Sequence, residues 1–280
     1  MNLFQIKNVT LQIMRRIKLI PVIALFFSIF CSCSNHEKLL KSNDFDKKYA
    51  AAMDYYEKTN YSKAALLFEN LTLYYRGRDN AENVAWYYAE ATNKLKDYYT
   101  AGYLYNNFVR QFPYSERAEE ALFMSAFCKY KESPDYSLDQ SQTYEAITAF
   151  EQFVERYPTS AHIPEINKYL DEMRAKLMKK DYEIAYGYYK ISVYNAAYVA
   201  FNEFINQYPD SDKKEDAMFY IIKSGYEYAI NSTESKIVGR LQQVINDFEK
   251  FATLFSNSKY MAASQEIYTK CREELSKRTK

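Results

Sequence analysis

One four-point pattern recurs five times along the chain: a small residue, then large apolar or aromatic residues four, seven and eleven positions later. The copies are Ala64/Phe68/Leu71/Tyr75, Ala101/Tyr105/Phe108/Phe112, Ala146/Phe150/Phe153/Tyr157, Ala197/Phe201/Phe204/Tyr208 and Val244/Phe248/Phe251/Phe255. Offsets of 4, 3 and 4 put all four side chains on one face of an α-helix. The small residue lets a neighbouring helix come close, and each buried ring contributes on the order of 1.5–3 kcal/mol. Pro113, Pro158 and Pro209 follow the last ring of the middle three copies and disfavour α geometry in the residue before them. Ser115, Ser160, Ser211 and Ser258 are placed to cap the next helix. The first and last copies carry Arg76 and Ser256 where the proline would stand, as terminal repeats often do. No such helix pair buries its own stripe, so the pattern predicts an all-α array in which each pair leans on the next.

The copies stand 37, 45, 51 and 47 residues apart, which makes the array irregular. The second interval contains an insertion, KESPDYSLDQSQ over 131–142, whose Ser-Pro-Asp reads as a loop. It serves either as plain surface or as a lid or docking element. The third interval adds about four helical turns at 3.6 residues each, so a lengthened helix keeps its phase. Pro164 suits a first helical turn, and no proline follows before about 192, predicting a long linking helix over 163–192. Lys259–Lys277 supplies a capping helix through Tyr260, Ala263, Ile267, Cys271 and Leu275. Only five glycines and six prolines occur in 280 residues, too few for an all-β fold that turns every 8–12 residues or so.

The amino terminus reads as an export signal. Arg15, Arg16 and Lys18 precede the apolar run Leu19–Phe30, shorter than the roughly 20 residues that span a bilayer. Ser32-Cys33 then resembles the lipobox of bacterial lipoproteins, which makes Cys33 the expected acylated residue, with Cys31 ranked second behind it because Phe30 fills its small-residue place. Met14 offers an alternative start. The 32 residues before Cys33 hold four basic side chains and no acidic one, so their removal turns the net charge from +1 to −3. A slightly acidic chain lacks the clustered basic surface that nucleic acid demands. Cys128 and Cys271 sit singly in predicted helices and read as core thiols.

The register resembles the tetratricopeptide repeat (TPR), with small residues at its eighth and twentieth positions and proline at its thirty-second; Ala89, Ala101 and Pro113 fall there in the second copy. The expected fold is an irregular TPR solenoid of five helix pairs plus a carboxy-terminal capping helix. Its expected divisions are a signal peptide at 1–32, a lipidated tether at 33–44 reaching at most about 36 Å, an amino-terminal half at 45–160 and a carboxy-terminal half at 161–280. A TPR groove is lined by the first helix of each pair. The resemblance therefore implies a peptide-binding row of Tyr49, Met53 and Tyr56, then Trp86, Glu90 and Asn93, then Phe123, Phe127 and Tyr130. Aromatics and methionine with a few amides and carboxylates suit an extended segment with alternating apolar side chains, as a membrane strand presents.

The lipobox, the five irregular repeats, the [FY]-P-x-S hinges and the SPxxSLDQxxTYxAI stretch at Ser133–Ile147 together resemble the BamD family of the outer-membrane β-barrel assembly machinery. That resemblance implies a lipid-anchored scaffold at the periplasmic face of the outer membrane. Its amino-terminal repeats would receive signal segments of unfolded barrel proteins, and its carboxy-terminal repeats would dock on a BamA-like barrel protein. A TPR lipoprotein of glycan uptake or of cell-envelope organisation is the alternative. A chaperone-tail adaptor would need lysine and asparagine where Tyr49 and Met53 stand. An enzyme is not expected. The chain has two histidines, His36 and His162, no nucleophile motif and no glycine-rich phosphate loop, and Glu119 and Glu120 read as solvated charge. No cofactor and no metal site are expected.

Overall fold

The computed structural model describes residues 36–278, and within them the recurring stripe becomes the core. The first three members of every copy are buried, among them Phe68, Phe108, Phe150, Phe153, Phe201 and Phe251. Eleven helices follow a short helical stretch at 36–41, with no strand among the described residues. They are α1 (Phe45–Glu57), α2 (Tyr61–Tyr75), α3 (Ala81–Lys94), α4 (Tyr98–Gln111), α5 (Ala118–Glu132), α6 (Ser141–Arg156), α7 (Ile163–Lys190), α8 (Tyr194–Gln207), α9 (Lys214–Ile230), α10 (Glu234–Leu254) and α11 (Met261–Arg278). These are five helix pairs and a final helix in TPR-like order.

The chain divides into two compact units. The first runs to Glu132 and resumes over Thr148–His162; the second takes Ser133–Ile147 and continues from Ile163. In the first, α1 to α5 each pack on the next; in the second, α7 to α11 do the same. Short connections between packed neighbours make the pairs antiparallel hairpins. Every apolar cluster draws on successive helices, α1 to α3 and α3 to α5 in one unit, α7 to α9 and α9 to α11 in the other. That sharing is why no hairpin is a stable piece by itself. The inward stripe starts at Tyr260, just before α11, and runs on through Ser264, Ile267, Cys271 and Leu275. Ala263, expected to face inward, is exposed; spacings of four, three, four and four keep Ser264 on the stripe instead.

The four serine hinges share one geometry. The backbone N–H groups of Phe112, Tyr157, Tyr208 and Phe255 close the preceding helices onto Phe108, Phe153, Phe204 and Phe251 carbonyls at 2.8–2.9 Å. Each serine N–H then donates back to that closing residue's carbonyl at 3.0–3.1 Å. The serine hydroxyls accept from the N–H two residues on: Arg117 at 3.0 Å, His162 at 3.2 Å, Lys213 at 3.0 Å and Tyr260 at 2.9 Å. They tie the turn one step ahead of the next helix rather than occupying its N-cap, since α5, α7, α9 and α11 begin three residues after each serine. The last hinge lacks proline yet has the same form: φ and ψ at Phe255 are −131° and 53°, against −125° and 65° at Tyr208. The hydrogen bonds set the joint and the proline only stiffens it. Ser258→Ala, which loses one hydrogen bond, is expected to cost about 1 kcal/mol, whereas Ser256→Pro is expected to add about 0.4–1 kcal/mol; urea unfolding of the two variants checks both signs.

The insertion from Ser133 onward belongs to the second unit and is tied down, while its first two residues end α5. Lys176 Nζ donates to Ser133 Oγ at 2.7 Å and Lys180 Nζ to the Leu138 carbonyl at 2.7 Å, while Lys179 stands 3.9 Å from the Tyr136 ring centre. Gln140, buried, donates to the carbonyls of Asp135 and Leu138 and closes the loop internally. Hydrogen bonds from Ser137 hold the Asp135 carboxyl below its ordinary range.

Candidate functional site

Three helices of the first unit, α1, α3 and α5, carry the nine residues expected to bind peptide. Spacings of three and four put each trio on one helical face. The helices also run level with one another: the Tyr56 hydroxyl of α1 donates to Glu90 Oε2 of α3 at 3.3 Å, and Cys128 Sγ of α5 lies 3.8 Å from Asn93 Oδ1 of α3.

Contacts differ along the row. Tyr49 and Met53 are half-buried on the α1–α2 cluster, Tyr49 meeting Phe68 edge-on at 6.4 Å. Tyr56 meets Tyr61 and Tyr87 edge-on. Trp86 is half-buried and stands edge-on to Tyr105 at 5.8 Å and Phe108 at 5.5 Å. Glu90 accepts from Tyr56 and, through a short contact, from the Tyr105 hydroxyl. Phe127 and Tyr130 keep part of their rings at the surface, with Lys131 Nζ 5.2 Å and 5.7 Å from the two ring centres. Phe123 is different: 5% exposed, it is stacked under the His162 imidazole at 3.9 Å and can serve a groove only as floor.

Burial, and next the Glu90 carboxylate, pushes the Tyr56 and Tyr105 phenols well above their ordinary value. Both therefore stay neutral donors and hold the carboxylate in place between α1 and α4. The buried thiols of Cys128 and Cys271 are free, and burial raises each to about 12.

Several neighbours of the row escape sequence reasoning. Arg117 lies 5.4 Å from the Trp86 ring centre and donates to Asn83 Oδ1 at 2.9 Å. Tyr87 stacks on Phe68 at 5.9 Å. His162 Nε2 is 2.9 Å from Glu120 Oε2, so Glu120 is a positioned partner rather than loose charge. The second unit holds an aromatic face for which no site residue was expected: Tyr220 meets Tyr189 at 5.0 Å and Tyr186 at 5.1 Å, with Lys223 Nζ 5.1 Å from the Tyr189 ring centre. A spacing signal for it exists, since Tyr182, Tyr186 and Tyr189 repeat at four and three on α7. A cleft of the first unit lies elsewhere, between α2 and α4, about 600 Å³ in volume and lined by Glu69, Arg76, Tyr88, Tyr103, Asn107 and Gln111.

Cys33 lies outside the described residues, and no described helix is long and apolar enough to cross a membrane. No group of three metal-ligating side chains occurs among the described residues. Within the stretch expected to be the tether, 36–41 is helical, and Leu39 and Leu40 pack on the α1–α2 cluster. His36, Leu39 and Leu40 share one face, so coiling buries all three.

Sequential helix hairpins with an aromatic–carboxylate row define a TPR-like scaffold, and the chain belongs to the outer membrane lipoprotein family YfiO, whose profile matches residues 42–237 and 182–279. Among its relatives, the outer membrane protein assembly factor BamD of Caulobacter vibrioides is 23% identical over 126 residues, 45% of this chain and 41% of that protein. A protein of Aquifex aeolicus, provisionally named as the same factor, is 25% identical over 217 residues, 75% of this chain and 69% of that protein. The chain thus spans less than half of the Caulobacter protein in the first match and about two thirds of the Aquifex protein in the second.

Proposed function

We propose that this protein is a non-enzymatic scaffold of outer-membrane β-barrel assembly, held by acyl chains on Cys33 at the periplasmic face of the membrane. Segments of unfolded barrel proteins lie across α1, α3 and α5, and a BamA-like barrel protein docks on the second unit. The observation that carries the reading is the level row on the first helices of three successive pairs, in which half-buried Tyr56, Trp86, Phe127 and Tyr130 flank a carboxylate fixed by two phenols. Rings at that spacing suit the alternate side chains of an extended segment, and Glu90 and Asn93 suit its backbone amides. The tyrosines and Lys223 on α7 and α9 suit the polar-aromatic composition of a docking surface. The names of the relatives point the same way.

The test is binding of a barrel-protein terminal peptide to Trp86→Ala and Phe127→Ala, read by calorimetry. Each central aromatic is expected to cost about 2 kcal/mol or more, roughly thirtyfold in affinity. Unchanged affinity in a folded double variant would remove the row from the binding site.

A further inference from the structure

We propose that the edge of the first unit formed by the α1–α2 and α3–α4 turns is a lipid-facing surface, lying on the membrane that holds Cys33. The inference rests on the lipid-anchor reading of Cys33 and adds which face of the protein meets the bilayer.

The short helical stretch at 36–41 runs antiparallel to α1. His36, 8% exposed, meets Tyr55 edge-on at 5.5 Å near the end of α1, while the Leu40 carbonyl accepts from Lys48 Nζ at 3.1 Å near its start. The chain is therefore fixed at His36, beside the α1–α2 turn, three residues after Cys33. Three residues reach only about 10 Å at 3.3–3.6 Å each. An acylated Cys33 sits at headgroup depth, so this turn cannot leave the lipid surface.

The α3–α4 turn shares the edge, because α1 and α3 run parallel: Tyr56, near the end of α1, meets Glu90, near the end of α3. The edge displays Lys38, Lys58, Lys94 and Lys96, all exposed, with Leu95 46% and Tyr99 81% exposed among them. Of its carboxylates, Asp54 pairs with Lys58 at 2.8 Å, Asp97 caps α4 through the Thr100 N–H at 3.1 Å, and Glu37 and Glu57 are exposed, so the four lysines are matched by four carboxylates. Lysines around a leucine and a tyrosine are the composition of an interfacial surface. The ring and aliphatic chain settle at the boundary with the acyl region, and the long lysine stems beside them carry their ammonium groups up to headgroup level.

The experiment uses the full lipidated chain in vesicles of zwitterionic and anionic phospholipid. Tyr99→Cys and, on the opposite edge, the fully exposed Tyr114→Cys each carry an environment-sensitive fluorophore. The native thiols Cys128 and Cys271 are buried and stay unlabelled. With nitroxide on the lipid headgroups, the label at 99 is expected to lose most of its emission and the label at 114 to keep it. Equal quenching at the two sites, or stronger quenching at 114, overturns the edge assignment while leaving the anchor intact. Flotation of the same samples reads the anchor separately: a chain that does not float, or that still floats as Cys33→Ser, overturns the Cys33 reading and this inference with it.

Discussion

Cutting the Phe108 ring back to alanine is expected to lower the unfolding free energy of the first unit by about 3–5 kcal/mol, the range for a fully buried aromatic replaced by a cavity. Phe108 is fully buried on the α4 stripe, 5.5 Å from Trp86 and 5.2 Å from Phe112. It sits where α3, α4 and α5 share one apolar cluster, so the void opens between hairpins that depend on each other. The chain has one tryptophan, and its contact with Phe108 makes urea unfolding followed by Trp86 emission a local reading. Phe108→Leu keeps most of the volume and is expected to lose about 1 kcal/mol. A loss below about 1 kcal/mol for the alanine variant would mean the stripe does not hold this unit together.

Alkali is expected to unfold the protein cooperatively between roughly pH 10 and 12. Burial, and then the neighbouring carboxylate, raises Tyr105 far above the phenol's ordinary 10.0. Tyr56, Tyr198 and Tyr208 are raised for like reasons, with Glu90, Asp247 and Asp181 as their carboxylate partners. A raised folded-state pKa means the native state keeps a proton that the unfolded chain gives up. The contribution is complete below pH 10 and disappears as pH climbs toward the folded value. Each fully buried phenol then removes about 1.4 kcal/mol per pH unit. Tyr105 alone accounts for about 3 kcal/mol by pH 12, and the half-buried tyrosines add less because solvent screens them. Phenolate absorbance and helical circular dichroism should change together, and Tyr105→Phe should move the midpoint upward. Phenols that titrate gradually near pH 10 with the helices intact would contradict this account.

The hairpin array was legible because its determinants are local. A 4-3-4 spacing is a statement about one helix, and a ring-proline-serine turn is a statement about one loop. What stayed hidden depends on side chains 15 to 42 residues apart that the stacking brings level. Nothing near Arg117 announces Trp86, nothing near His162 announces Phe123 and Glu120, and the Glu90 carboxylate meets two tyrosines from different helices. The binding row shows the same limit from the other side. Register places Phe123 on the facing side of α5, but the rings of His162, Phe150 and Phe153, distant in sequence, decide that it is covered. The stretch at 36–41 did carry a local signal, three residues on one helical face, overshadowed by its polar neighbours.

Each serine joint closes its backbone bonds within its own span, from Phe108 to Ala118 in one case and from Phe251 to Met261 in another, and in the first the Ser115 hydroxyl also donates to Glu82 Oε1 at 2.7 Å. A connector whose backbone bonding borrows nothing from distant parts of the chain is interchangeable. Whole helix pairs can be duplicated, lost or lengthened by complete turns during evolution without redesigning the junctions. A chain built this way is free to vary in length while keeping the spacing of the rings it presents.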